Sequence, residues 1–360
     1  MGYNILTLRR AVAIIDAVTR QRLTILRRRS EVLQLLRLFF RRLGYLEVDT
    51  PLLAPALIPE SSLEVFRTAG SEGPELYLIP SPELWMKRLL ADGSGSIFQL
   101  CRCFRNHEPD SPLHSREFSM LEWYTVGAGY LESMLTLERL FAFLLERLGL
   151  GPVLRFRGRR LDCTLPFRRL SVAEAFRDHL GLRLEQLASL PALTREARAL
   201  EVPVAEEDSW ADLFHKLFLS FVEPALPADR PLLLFDYPAG VPTLARRKPP
   251  GFWAERWELY LGGIEVSNCY TEATDPAEIG EFFRNQSEAK RSAREPHRVD
   301  WDLAAALQAG LPQCSGVALG VDRLLLVLLD EESVASVNPS EIPQWGAVNV
   351  GRAGRRPGGT

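Results

Sequence analysis

Gly262 and Gly263 stand between two apolar-rich runs, Trp257–Leu261 and Ile264–Ser267. A Gly-Gly pair in that setting specifies a two-residue hairpin turn, because the favoured turns need positive φ where only glycine is at ease. This part of the chain is thereby committed to antiparallel pairing. A regular ladder puts Glu265 opposite Tyr260 and Ser267 opposite Glu258. Glu258 and Glu265 then become diagonal neighbours on one face, on the order of 7–8 Å apart at Cα. Two carboxylates so placed repel unless a cation lies between them or water separates them. Magnesium, which takes one or two carboxylates plus phosphate oxygens, fits such a pair. Two solvated glutamates are the plain alternative, and the apolar neighbours weigh against it.

Elsewhere the pattern alternates strand and helix without a βαβ rhythm. Ser96–Arg105 and Glu117–Tyr124 read as strands joined by a polar loop, and Leu232–Tyr237 as another. Val32, Leu35, Leu36, Phe39 and Leu43 fall at helical spacing, with Gly44 as the stop. Residues 130–149, 171–220, Leu303–Leu311 and Asp322–Leu329 are helix-rich, and Gly151–Pro166 is irregular or β. The expectation is an α+β fold, a mainly antiparallel sheet flanked by helices. The glycine-rich phosphate loops and the nucleophile and zinc motifs are all missing, so a nucleotide site must be built from side chains on the sheet.

The chain has 360 residues, 46% hydrophobic and 25% charged, enough for one large catalytic domain. A net charge of -3 argues against a broad basic surface for a polyanion such as tRNA. Five cysteines without a CxxC pair fit a reduced, cytoplasmic setting. Cys101 and Cys103 flank Arg102; a metal role competes with that of small buried residues on one side of a strand. No apolar run approaches the ~20 residues of a membrane span. Residues 1–29 are Arg-rich and read as a surface helical extension, because Asp16 interrupts the apolar stretch Ala11–Ile15. Residues 30–338 form the catalytic domain, and 339–360, rich in Pro, Gly and Arg, a loose tail.

Two further constellations carry chemistry. Period-two alternation puts Phe118, Met120, Glu122 and Tyr124 on one face. This is a poor core stripe, since burying Glu122 unpaired is expensive, but a good ligand floor, with Arg105 at the end of the partner strand able to fork onto a phosphate. A half-exposed hairpin with a surface Glu–Arg pair has equal standing. In Cys314–Arg323, small residues allow close approach to the backbone, and Arg323 opens an apolar helix where it needs an anion. Taken alone, a structural salt bridge is the commoner reason for such an arginine.

In order, these segments resemble class II aminoacyl-tRNA synthetases of the lysyl type across residues 30–335. Gly44-Tyr45 through Pro51 is similar to motif 1, Phe104-Arg105 through Glu122-Trp123-Tyr124 to motif 2, and Gly320-Val321-Asp322-Arg323 to motif 3. Ser81-Pro82-Glu83, Met86-Lys87-Arg88-Leu89 and Gly263-Ile264-Glu265 are further lysyl-type segments. Phe98–Arg102, Met120–Tyr124 and Cys314–Arg323 narrow the resemblance to the truncated paralogues that attach (R)-β-lysine to a lysine of elongation factor P. Lysyl-tRNA synthetases carry an anticodon-binding barrel before motif 1, where about 40 residues stand here, and usually a glycine at the position of Ala318.

The resemblance implies ATP as a substrate, Mg²⁺ held by Glu258 and Glu265, and a homodimer formed through motif 1. Arg105 would bind the α-phosphate, Phe118 would stack on adenine, and Arg323 would hold ATP from its other side. Asn106, His107, Glu108, His114, Ser115, Val266 and Gly320 would complete the ATP contacts. Ser81, Pro82, Glu83, Glu122, Tyr124, Asn268, Glu272 and Ala318 would bind (R)-β-lysine. The sequence departs from the pattern at His107, Ser115-Arg116, Ser267 and Cys269. Rival readings are a free-standing lysyl-tRNA synthetase and a non-catalytic paralogue; retention of Arg105 and Arg323 speaks against the second.

Overall fold

The computed structural model describes the backbone of residues 5–338, except 70–72 and 110, and side chains from residue 20 onward. The tail expected at 339–360 lies outside the described residues. A nine-stranded sheet organises the chain. Numbered in chain order, its strands are β1 (Leu46–Glu47), β2 (Ile97–Phe104), β3 (Glu117–Val126), β4 (Arg168–Ser171), β5 (Leu232–Pro238), β6 (Arg247–Lys248), β7 (Trp253–Leu261), β8 (Ile264–Thr271) and β9 (Cys314–Gly320). The spatial order is β1-β2-β3-β9-β8-β7-β5-β4, with β6 beside β7. Pairing is antiparallel except at the two edges, β1 on β2 and β5 on β4.

The Gly262-Gly263 turn forms as expected, with φ of 58° and 83°. The ladder beyond it is not regular. Tyr260 faces Glu265, but Leu259 faces Ser267 and Glu258 faces Asn268. The extra residue, Val266, makes a β-bulge, so the expected Ser267–Glu258 pairing is replaced by Asn268–Glu258. Cys314–Gly320, read above only as a run of small residues, is a central strand.

Apolar alternation builds a core on one face of the sheet, where the helices Ile5–Arg42, Tyr130–Arg147 and Val321–Leu329 pack. Phe40 stacks on Phe98 with centroids 5.2 Å apart and lies 4.9 Å from Trp123. The Ile5–Arg42 helix runs without a break through residue 30. On the other face the helices Glu83–Ala91, Pro276–Arg291 and Trp301–Gly310 form a second core, and the helices between Val172 and Val222 a third. Gly151–Pro166 holds a small hairpin, Val153–Phe156 with Arg159–Asp162. Among the described residues no helix is long and apolar enough to cross a membrane, and no group of three or more His, Cys, Asp or Glu could hold a metal. Cys101 and Cys103 sit with sulfurs 3.8 Å apart.

Candidate active site

A cavity of about 780 Å³ opens on the face left between the second and third cores. Its floor carries Phe118 and Met120 from β3, Asn268 from β8 and Ala318 from β9; Glu60, Glu83, Glu108 and Arg105 stand in its walls. One end is cationic. The Arg105 guanidinium lies 5.2 Å from the Phe118 ring centroid. Arg323 enters from the first turn of the Val321–Leu329 helix, donates to the Glu265 and Leu113 carbonyls at 3.0 and 3.2 Å, and lies 3.6 Å from the Glu265 carboxylate. His114 accompanies them, 3.7 Å from Glu108, and burial together with the Arg323 charge lowers its pKa below the usual imidazole range.

Glu258 and Glu265 share a face, as the hairpin required. Glu258 is buried and fully engaged: Tyr237 and Tyr260 donate to one oxygen at 2.5 and 3.0 Å, and Arg256 to the other at 2.7 Å. Glu265 reaches the cavity with 39% of its side chain exposed. Desolvation, and then the Glu258 charge, push its carboxyl up to about 7, against the opposing pull of Arg323 and Arg256. Such a carboxylate suits a divalent ion arriving with a nucleotide, because the ion relieves both effects.

The other end is acidic and deeper. Glu83 opens its helix, and one turn on Lys87 pairs with both Glu83 and Glu272 at 2.7 Å; the lysine is fully buried, and its two partners raise its pKa against desolvation. Tyr270 donates to Glu83 and Tyr124 to Glu122, each at 2.7 Å. Lys87 pairs with two of these three carboxylates, Glu83 and Glu272. Burial, then Glu83, holds the Glu122 carboxyl well above its ordinary range, and burial likewise pushes Glu272 up to about 7. The set is short of positive charge.

Not every residue named from the sequence reaches the cavity. Ser81 and Pro82 precede the Glu83 helix and lie outside the wall, while Glu122, Tyr124 and Glu272 are buried beneath the floor. Ser115, Val266 and Gly320 line it. Asn106 and His107 do not; His107 turns away at φ 55° to lie 3.6 Å from Glu295. Sequence reasoning missed Glu60, Arg256 and the neutralising role of Lys87. For Lys87, its (i, i+4) spacing from Glu83 was the available signal.

Gly316 explains the small residues of β9. A Cβ there would come within 2.5 Å of the Tyr124 ring and 2.7 Å of the Glu272 carboxylate. Gly316→Ala is expected to cost about 1–3 kcal/mol by displacing that buried pair. Chemical denaturation checks it, and an unchanged midpoint would show that the pair can move aside.

An ordered set of floor aromatics, paired arginines and acidic groups on an antiparallel sheet defines a class II synthetase domain. The chain belongs to that family: the model for class II tRNA synthetases (D, K and N) matches residues 6–339. Within the family it groups with the elongation factor P--(R)-beta-lysine ligases. It is 39% identical to that of Klebsiella pneumoniae over 322 residues, covering 86% of this chain and 92% of the relative. Identity to that of Pectobacterium carotovorum is 38% with the same coverage. Lysine--tRNA ligase of Chloroflexus aurantiacus is 33% identical over 323 residues, 89% of this chain but 65% of the relative; for that of Campylobacter jejuni the identity is 33% and the share of the relative 62%.

Proposed function

We propose that this enzyme activates (R)-β-lysine with ATP as an aminoacyl adenylate and transfers it to a lysine side chain of elongation factor P. The observation that carries the reading is the two-ended cavity, arginines at one end and an acidic excess at the other. It suits a substrate with two ammonium groups whose carboxylate meets a nucleotide. Relatives named as ligases for elongation factor P are matched over nearly their whole length, whereas the chain spans under two thirds of the lysine--tRNA ligases.

In this reading the substrate carboxylate attacks the α-phosphorus, a carboxyl–phosphate bond forms, and pyrophosphate leaves. The acceptor amine then attacks the carbonyl, an amide forms, and AMP leaves. Arg105 and Arg323 orient and neutralise phosphate oxygens, Phe118 supports the purine, and Glu83, Glu122 and Glu272 hold ammonium. Magnesium on Glu265 would add charge neutralisation at the phosphates; Glu258, expected from the sequence as the second ligand, is instead occupied by Tyr237, Tyr260 and Arg256 and stands behind the cavity wall. No protein nucleophile is needed. The test is ATP–pyrophosphate exchange: (R)-β-lysine should stimulate it well above α-lysine, and the reverse order would favour a lysyl-tRNA synthetase-like activity.

The acidic groups give a pH dependence. Glu60, Glu265 and Glu272 sit near 7 against an ordinary 4.5. Each holds its proton more tightly folded than unfolded, so the ligand-free protein loses their contribution to stability as pH rises from about 4.5 to 7. In the folded protein ionisation comes around 7, and for Glu272 it readies the carboxylate for a dication. The thermal shift produced by (R)-β-lysine should therefore grow between pH 6 and 8, and a flat response counts against Glu272 as its ligand.

A homodimer through motif 1 belongs to the same reading. Leu43, Leu46, Leu52 and Leu53 are exposed beside the edge strand β1, at 38–54% for the four. Apolar residues gathered at an unpaired edge call for a partner surface. Leu46→Asp should convert a dimer to a monomer by light scattering; a monomer before substitution would refute the arrangement.

A further inference from the structure

Among the glutamates in and around the cavity, Glu60 stands apart. Glu83, Glu108, Glu122, Glu258, Glu265 and Glu272 each meet a tyrosine, lysine, arginine or histidine of the protein. Glu60 lines the same cavity, half-buried, and among the described residues no hydrogen bond or ion pair engages its carboxylate. A carboxylate withdrawn from water and left without a partner is costly, and it is retained where a ligand supplies the missing charge.

The backbone around it is fixed. The N–H and hydroxyl of Ser61 donate to the Gln286 side-chain oxygen at 3.2 and 2.8 Å. The Lys290 ammonium donates to the Leu63 carbonyl and lies 3.4 Å from the Glu64 carboxylate. Most tellingly, the Asn106 N–H donates to the Glu64 carbonyl at 2.8 Å, so the segment is tied to the residue directly after Arg105. Electrostatically Glu60 lies between two poles, repelled by Glu83 and attracted at a distance by Arg105, Lys87 and Lys290. Burial first, and the Glu83 charge second, push its carboxyl up to about 7, against the pull of Arg105, Lys87 and Lys290.

That position lies at the reacting end of the substrate. In the function proposed above, on which this inference rests, Arg105 orients the phosphate that the substrate carboxylate attacks. The nearest ammonium of an α-amino acid is one carbon from the carboxyl carbon; that of a β-amino acid is two. We propose that Glu60 is a specificity-determining contact, its carboxylate receiving the amine nearest the reacting carboxyl group and so helping to separate (R)-β-lysine from α-lysine. Glu83, Glu122 and Glu272, already sharing Lys87 and two tyrosines, serve the distal ammonium.

Glu60→Gln keeps the shape and removes the charge. In ATP–pyrophosphate exchange the KM for (R)-β-lysine should rise about 10- to 100-fold, the loss of one charge-assisted hydrogen bond. The KM for ATP should stay within about twofold, which also reports an intact fold. 6-Aminohexanoate, which keeps the carboxylate and distal amine but lacks the nearer one, should inhibit both forms with the same Ki. An unchanged KM for (R)-β-lysine overturns the inference, as does a Ki for 6-aminohexanoate that rises in step with it. Absence of exchange with (R)-β-lysine in the unsubstituted protein is a separate outcome: it removes the functional reading, and this assignment with it.

Discussion

Arg323→Ala should lower the rate of (R)-β-lysine-dependent pyrophosphate exchange by about 10²- to 10³-fold, the usual loss when one preorganised donor to developing phosphate charge is removed. The side chain is held by two carbonyls, from Leu113 and Glu265, with its remaining donors free to face an oxyanion. Those backbone contacts fix the guanidinium before a nucleotide arrives, so little reorganisation accompanies the reaction. Arg323→Lys should recover little, because an ammonium cannot span both carbonyls and a phosphate. Steady-state exchange at saturating ATP checks the effect. A loss under tenfold would leave Arg323 as a brace for Glu265 and no more.

The second large effect concerns stability. Arg29 is 4% exposed and donates to the Asp322 carboxylate at 2.5 Å, to the Ser119 hydroxyl at 2.6 Å and to the Val337 carbonyl at 2.9 Å. Asp322 is itself buried and accepts the Ser119 N–H at 2.9 Å. Arg29→Leu strands that carboxylate in the core, which typically costs about 3–5 kcal/mol. Urea denaturation should show it. The double variant Arg29→Leu, Asp322→Asn should regain part of the loss, since the stranded charge is gone. If the single variant loses under 1 kcal/mol, as exposed pairs do, the network is not structural.

Arg29 also marks a limit of the sequence. It closes an arginine run that reads as a surface extension, and nothing in residues 27–29 tells which of three arginines faces inward. Burial there is set by an aspartate 293 positions away. Glu60 is similar: its partnerless state is a property of the assembled walls. By contrast the Gly-Gly hairpin, the Glu122 and Tyr124 stripe and the Val321–Leu329 helix were legible, because period and turn chemistry act over a few residues. The helices Glu83–Ala91 and Pro276–Arg291 went unread, since the charged residues within both blur an apolar stripe. The strand β9 was hidden by its glycines and alanine; of these Gly316 is set by closeness to Tyr124 and Glu272 and not by β propensity.

The extra residue in β8 reaches further than its one misplaced pairing. Val266 packs in the apolar core as well as bordering the cavity, while Glu265 before it and Asn268 and Tyr270 after it reach the cavity from opposite parities. An uninterrupted pleat would present odd-numbered or even-numbered positions to the ligand, never both. The irregularity acts as a phase change that lets a single strand present residues from both parities to the cavity. Anyone redesigning this strand must count parity afresh from each side of Val266, because a substitution scheme keyed to simple alternation would polarise the core in one half.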